Sequence, residues 1–424
     1  MRTLRSQVRY LRNSLPQFES GEPQKGFTSD FIWGTNSSST QVEGAARQCD
    51  WLDWEIQGNA PRSGEGNGFK TRYSEDFPLY ASFGLSRHRL SIDWARIEPS
   101  EGRRDGAEIE HARWVLESAR DAGIEPWVCL HHIALPGWFT ELGEGGFRDD
   151  KTRSYFWARH VAFCAETFGD LVAGWQPLHH PTAYASDAFL NGVHPPGSKH
   201  PAKFAETLRG MVFAWRDAWR ELRGGPPVAT ALNLAPIFSI DNSPVAEQYA
   251  RDADAVIWRV WMRALRDGVL TIPGLPEIEI PELRDSCDMV GFSYESAIGV
   301  TRQGKFVSYP NNLRKTSLGI APWVEGLSLV LHRLAEELPD RPLLITGLGI
   351  GTDDDAWRCD YLRECFAAVE EAIDDGIDIR GIFHQTGIDQ YEWLGGYATP
   401  YGLFTRDREP RASAEVVAEY AKKR

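Results

Sequence analysis

Phe31-Ile32-Trp33-Gly34-Thr35-Asn36-Ser37-Ser38-Ser39-Thr40-Gln41-Val42-Glu43-Gly44 starts apolar and turns at once into hydroxyls and amides. A short apolar run of this kind reads as a buried strand, and the polar residues after it as the segment leaving its C-terminal end. Seven further runs have the same character: His88–Ile92, Pro126–Leu130, Gly174–Leu178, Val228–Leu234, Met289–Phe292, Leu343–Thr346 and Gly381–His384. Amphipathic stretches lie between them, among them Ala107–Ala122, Tyr155–Phe168, Phe204–Leu222, Val324–Leu338 and Ala356–Asp375. Strands alternating with helices predict a parallel sheet, and eight of them predict closure. The fold class expected is α/β, a single (β/α)8 TIM barrel over 26–424, a size that barrels reach as one domain. No internal repeat, low-complexity tract or linker calls for a second domain.

Composition narrows the partners. The chain of 424 residues has 46 Lys plus Arg against 60 Asp plus Glu, a net charge of −14, and no basic stripe, so nucleic acid is not an expected partner. No apolar run approaches membrane-spanning length. Met1–Lys25 is polar and rich in Arg and Gln without an apolar core, which predicts no signal peptide and instead a flexible lead-in or a packing arm, possible in an oligomer. The six cysteines follow no CxxC or regular spacing, so reduced thiols, a cytoplasmic location and no cysteine metal site are expected. Sixteen Trp and thirteen Tyr suit a sugar-stacking pocket or a large aromatic core.

In a barrel the chemistry sits where the strands end. There the chain places Gln41, then His131-His132, then Glu392-Trp393: donors, acceptors and an aromatic platform for a hydroxyl-rich ligand. The order and spacing of these segments, from about Phe31 to Leu403, resemble the family 1 glycoside hydrolases, the β-glucosidase family. The match is closest over Phe31–Gly34 with Gln41–Gly44, over Arg89–Ile92 with Trp94 and Arg96-Ile97, and over Asp389–Trp393 with Gly396-Tyr397. The resemblance implies that Gln41, His132, Glu392 and Trp393 hold a sugar by its hydroxyls, and that Arg89 neutralises a catalytic carboxylate.

The same resemblance locates two catalytic glutamates, and neither is present. Where the family has Asn-Glu-Pro for its acid/base, this chain has His179-His180-Pro181; where the family has Thr-Glu-Asn-Gly for its nucleophile, it has Thr346-Gly347-Leu348-Gly349. A retaining glycosidase works through two carboxyls about 5–5.5 Å apart, so that mechanism is not expected. Two neighbours depart as well: a tyrosine pair becomes Tyr294-Glu295 after Ser293, and a Trp flooring the sugar site becomes Gln385.

Glu295 has two readings at this level. It compensates Arg89, or it activates a water in a hole left at Gly347 while His180, assisted by His179, protonates the leaving group. A metal held by three of His131, His132, His179, His180, His384 and Glu295 is a further alternative to a cofactor-free site, although no HxH or HxxxH pair fixes a geometry. Three functions follow: a glycoside hydrolase with rebuilt chemistry, a catalytically inactive sugar-binding protein, and a scaffold subunit. The first two share one expected partner, a small-molecule glycoside or sugar.

Overall fold

The computed structural model describes residues 26–141, 145–241 and 243–422. The expected arm Met1–Lys25 lies outside them. Eight parallel strands form the sheet: β1 (Ile32–Asn36), β2 (Arg87–Ser91), β3 (Glu125–Cys129), β4 (Gly174–Trp175), β5 (Leu232–Asn233), β6 (Val290–Tyr294), β7 (Leu343–Leu348) and β8 (Ile379–His384). Each expected run supplies one strand. β1 pairs with both β2 and β8, so chain start and chain end are neighbours in the sheet. The segment before β5 completes the ring, bridging Trp175 to Val228 on one side and Ala229 to Met289 on the other.

Helices follow the strands: α1 (Phe69–Ser82), α2 (Gly106–Asp121), α3 (Ala158–Phe168), α4 (Pro201–Leu222), α5 (Val260–Asp267), α6 (Val324–Glu337), α7 (Asp355–Asp374) and α8 (Ala412–Ala421). Local chemistry starts several of them. Asp105 accepts from the backbone N–H groups of Ala107 and Glu108 at α2, and Asp354 accepts from that of Trp357 at α7, which satisfies donors that a helix leaves unpaired. No helix among the described residues is long and apolar enough to cross a membrane. All six cysteines are buried and unbridged.

The main core lies between the sheet and the helices. A second packs the barrel interior, where Trp127, Ala229, Leu344 and Phe383 meet Ile32 and Met289. These are inward positions of β1, β3, β7 and β8 and of the segment before β5, as the alternation of side chains along a strand requires. The same alternation sorts β2. His88 faces outward, its two nitrogens bonded to the Thr35 and Ser37 hydroxyls at 2.8 and 2.9 Å and its ring stacked on Tyr80. Arg89 then faces inward, above the interior core.

Candidate active site

Arg89 is 1% exposed and forms no ion pair with any described residue. Its Nη1 donates to His132 Nδ1 at 3.1 Å and to His179 Nδ1 at 3.4 Å, and its Nε bonds to no described residue. The one group that favours its charged form is the Cys129 thiol beside it. An unpaired ion in a protein interior carries a cost on the order of several kcal/mol. Glu295 does not offset it. This half-buried residue makes no ion pair with Arg89, and burial alone raises its carboxyl above the usual range. Its electrostatic reach is toward Glu392 and Tyr401 instead.

The guanidinium fixes the state of the rings above it. A guanidinium only donates, so each Nδ1 accepts, and both imidazoles are neutral with the proton on Nε2. His132 stacks on His179 with ring centroids 3.8 Å apart, and His179 on His180 at 3.6 Å. Burial, Arg89 and the neighbouring rings hold His132 and His179 well below the usual histidine range. Burial and then Arg89 bring His180 down to about 3. Three stacked imidazoles beside a cation would repel one another if protonated, so the column is a neutral one. At neutral pH His180 therefore starts without the extra proton that a general acid needs. Its Nε2 is buried without a partner among the described residues, and its backbone is left-handed at φ 44°, held by its N–H donating to Ala231 O at 2.8 Å.

The residues expected to contact a sugar are joined by hydrogen bonds of their own. Gln41 Nε2 donates to Glu392 Oε2 at 3.3 Å and to Tyr391 O at 2.9 Å, and Gln390 Nε2 donates to Glu392 Oε1 at 3.4 Å. Burial raises the Glu392 carboxyl well above the usual range, and Glu295 pushes it further. The Trp393 ring is nearly parallel to His132, with centroids 5.9 Å apart, and so links these residues to the histidine column.

β7 shifts register against β6 between Ile345 and Gly347, and against β8 between Ile345 and Leu348. Bulges of this kind re-aim side chains beside active sites. Asn36 Nδ2 donates to the Thr346 carbonyl at 3.0 Å within this irregularity. Gly347 does not leave the hole expected from its missing side chain. A Cβ there would lie 2.7 Å from Ser293 Oγ and 3.1 Å from Ser293 Cβ, and Ser293 Oγ is within hydrogen-bond distance of Thr346 Oγ1 at 3.1 Å. Gln385 is next along the wall, its Oε1 3.6 Å from that Cβ position.

Of the six groups considered for a metal, His132, His179 and His180 stack face to face, while His131 and His384 are engaged elsewhere. The His131 ring is wedged between Phe147 and Tyr184 with both nitrogens unpartnered, and His384 Nδ1 bonds to Thr386 O at 3.0 Å. Adjacent residues at a strand end point to opposite sides, which is why His131 leaves the mouth while His132 enters it. No three His, Cys, Asp or Glu among the described residues are placed to hold a metal ion.

The family model described as Glycosyl hydrolase family 1 matches residues 23–423. The chain belongs to this family. Among its relatives, a 1,4-beta-D-glucan glucohydrolase of Thermotoga neapolitana is 26% identical over 426 residues, covering 89% of this chain and 97% of that protein. Thermostable beta-glucosidase B of Thermobispora bispora is 27% identical over 431 residues, covering 92% of this chain and 89% of that protein. The solved beta-glycosidase from Pyrococcus horikoshii superposes with a TM-score of 0.86 at 28% identity, over 95% of this chain and 96% of that one. The family 1 beta-glucosidase of Thermotoga maritima superposes with a TM-score of 0.86 at 22% identity, over 94% and 99%, which speaks to the fold.

Several residues around the site of this family 1 chain are invisible as such in its sequence. Trp51 meets Trp393 edge-on at 4.5 Å, and His194 meets Trp51 at 5.3 Å, so residues from the short helix Asp50–Ile56 and two loops support one platform. Asp50 ties that helix to the segment after β3: its carboxylate accepts from Leu135 N–H at 2.8 Å, and its own N–H donates to Leu135 O at 2.9 Å. Burial brings the Asp50 carboxyl up to about 7. No motif marks these residues, because their partners lie in loops distant in sequence.

Proposed function

We propose that this family 1 chain binds a glycoside at the C-terminal mouth of its barrel and does not cleave it by two-carboxylate double displacement. The single observation that carries the reading is Arg89. The guanidinium the resemblance pairs with a catalytic carboxylate instead contacts two neutral imidazoles, and no carboxylate among the described residues lies in ion-pair range. His180 and Gly347 occupy the positions where the resemblance places the two glutamates, and neither brings a carboxyl group. Gln41, Glu392 and Trp393 make a hydroxyl-binding side of the kind sugars use. The names of the relatives, glucan glucohydrolase and beta-glucosidase, favour a β-glucoside.

A second reading, hydrolysis by rebuilt chemistry, is favoured by Glu295. A carboxyl that burial keeps protonated above its usual range suits a general acid. Titration calorimetry with an aryl β-glucoside, run beside mass-spectrometric detection of released sugar, separates the two. Binding without release is expected, and Trp393→Ala should weaken it about tenfold, the ~1.4 kcal/mol scale of a lost stacking contact. Release that Glu295→Gln or His180→Ala abolishes would replace the first reading with the second.

A further inference from the structure

The mouth has two unlike sides. On one, Gln41 and Gln390 donate from their amide nitrogens to the two oxygens of Glu392. On the other, a buried guanidinium stands behind two imidazoles whose Nε2–H groups donate to no described residue. His132 is 9% exposed and His179 is half-buried, so the rings, and not Arg89 itself, face the mouth. A hydrogen bond from a cation to Nδ1 polarises the ring and strengthens Nε2–H as a donor. The charge has no ion-pair partner among the described residues, and Glu295 acts electrostatically on Glu392 instead.

We infer that the ligand is anionic, and that its carboxylate, phosphate or sulfate group seats on the Nε2–H donors of His132 and His179 with Arg89 behind them. The ligand then completes the ion pair that the chain leaves open. Its hydroxyl-bearing end points toward Gln41, Glu392 and Trp393. The inference deepens the glycoside-binding reading and rests on it, since the same mouth supplies both ends. It names the chemical class, an acidic sugar or sugar ester, that a neutral β-glucoside site would not select.

The test is a thermal-shift and calorimetric panel on the full chain at fixed ionic strength in chloride, with glucose, glucuronate, glucose 6-phosphate and inorganic phosphate. At least one sugar anion should bind ten or more times tighter than glucose, and Arg89→Met should abolish that preference. His132→Phe and His179→Phe serve as second variants, and either should reduce it. If Arg89→Met does not fold, the wild-type panel still decides. Glucose binding as tightly as both sugar anions would overturn the inference and leave the glycoside-binding reading standing. Inorganic phosphate matching glucose 6-phosphate, with glucose and glucuronate silent, would support the anion site and remove the sugar. No binding by any of the four would overturn the inference, while the aryl β-glucoside titration decides the glycoside-binding reading on its own.

Discussion

At the scale of single residues, the site is decided by small differences in position. Gly347 looks like a deletion of function, and its sequence predicts space for a water; Ser293 takes that space. Gly347→Ala should therefore destabilise the chain by about 1–3 kcal/mol, the usual cost of overpacking. Ser293→Gly in the same chain should recover at least about 1 kcal/mol, a coupling that denaturant midpoints of a double-mutant cycle would reveal. Additive effects would mean that the two residues do not compete for one volume. That Gln41 would meet Glu392, and Trp393 would meet His132, was legible because all four directly follow apolar runs that end at one mouth. The roles of His179 and His180 were not, since adjacent residues give no hint of which way each ring turns or what charges face it.

At the scale of elements, the strands could be read almost without error. Strands covered on both faces must be apolar along their length, and turns must bound them. The long helices were readable for the same reason, each with one buried stripe. What escaped were short pieces: the helix Asp50–Ile56, the three-stranded sheet of Ile237–Ser239, Ala297–Val300 and Phe306–Tyr309, and the π turn Arg153–Trp157 that precedes α3. Such segments carry too few residues for a period to show. One helix also holds a residue that propensity alone would misjudge. Gly210 lies inside α4, where Ala is intrinsically better by about 1 kcal/mol. A Cβ there would come 2.0 Å from the Phe147 carbonyl oxygen, so α4 rides directly on the turn Gly146–Arg148. Gly210→Ala should cost more than about 2 kcal/mol in spite of its propensity, and chemical denaturation would show a gain if the close approach were unimportant.

For the whole molecule, burial of histidines sets the response to acid. His88, His131, His160, His180 and His384 are each held down to about 3 by burial. A histidine depressed in the folded state binds fewer protons than in the unfolded chain. Its contribution is present above the unfolded value of about 6.5 and is lost as pH falls toward 3. Asp50, raised to about 7, acts in the opposite direction, since its folded form holds a proton longer. A single substitution isolates the histidine effect. His131→Phe keeps a ring between Phe147 and Tyr184 and removes two unpartnered nitrogens, so it should stabilise the chain at pH 7 by about 1–3 kcal/mol. Its advantage should grow by about 2 kcal/mol on going to pH 5. Urea midpoints at the two pH values check this, and an unchanged difference would show that His131 is not the neutral group described.

The sequence by itself determined the order of eight strands and their helices, and membership of a known family. These depend on local periodicity and on motifs, which survive without knowledge of what touches what. The tertiary structure decided the rest. It put Arg89 under two imidazoles and out of ion-pair range of Glu295, made the histidine column neutral, and filled the place beside Gly347. Those outcomes depend on burial and on contacts between loops far apart in the chain, and both exist only once the barrel has closed.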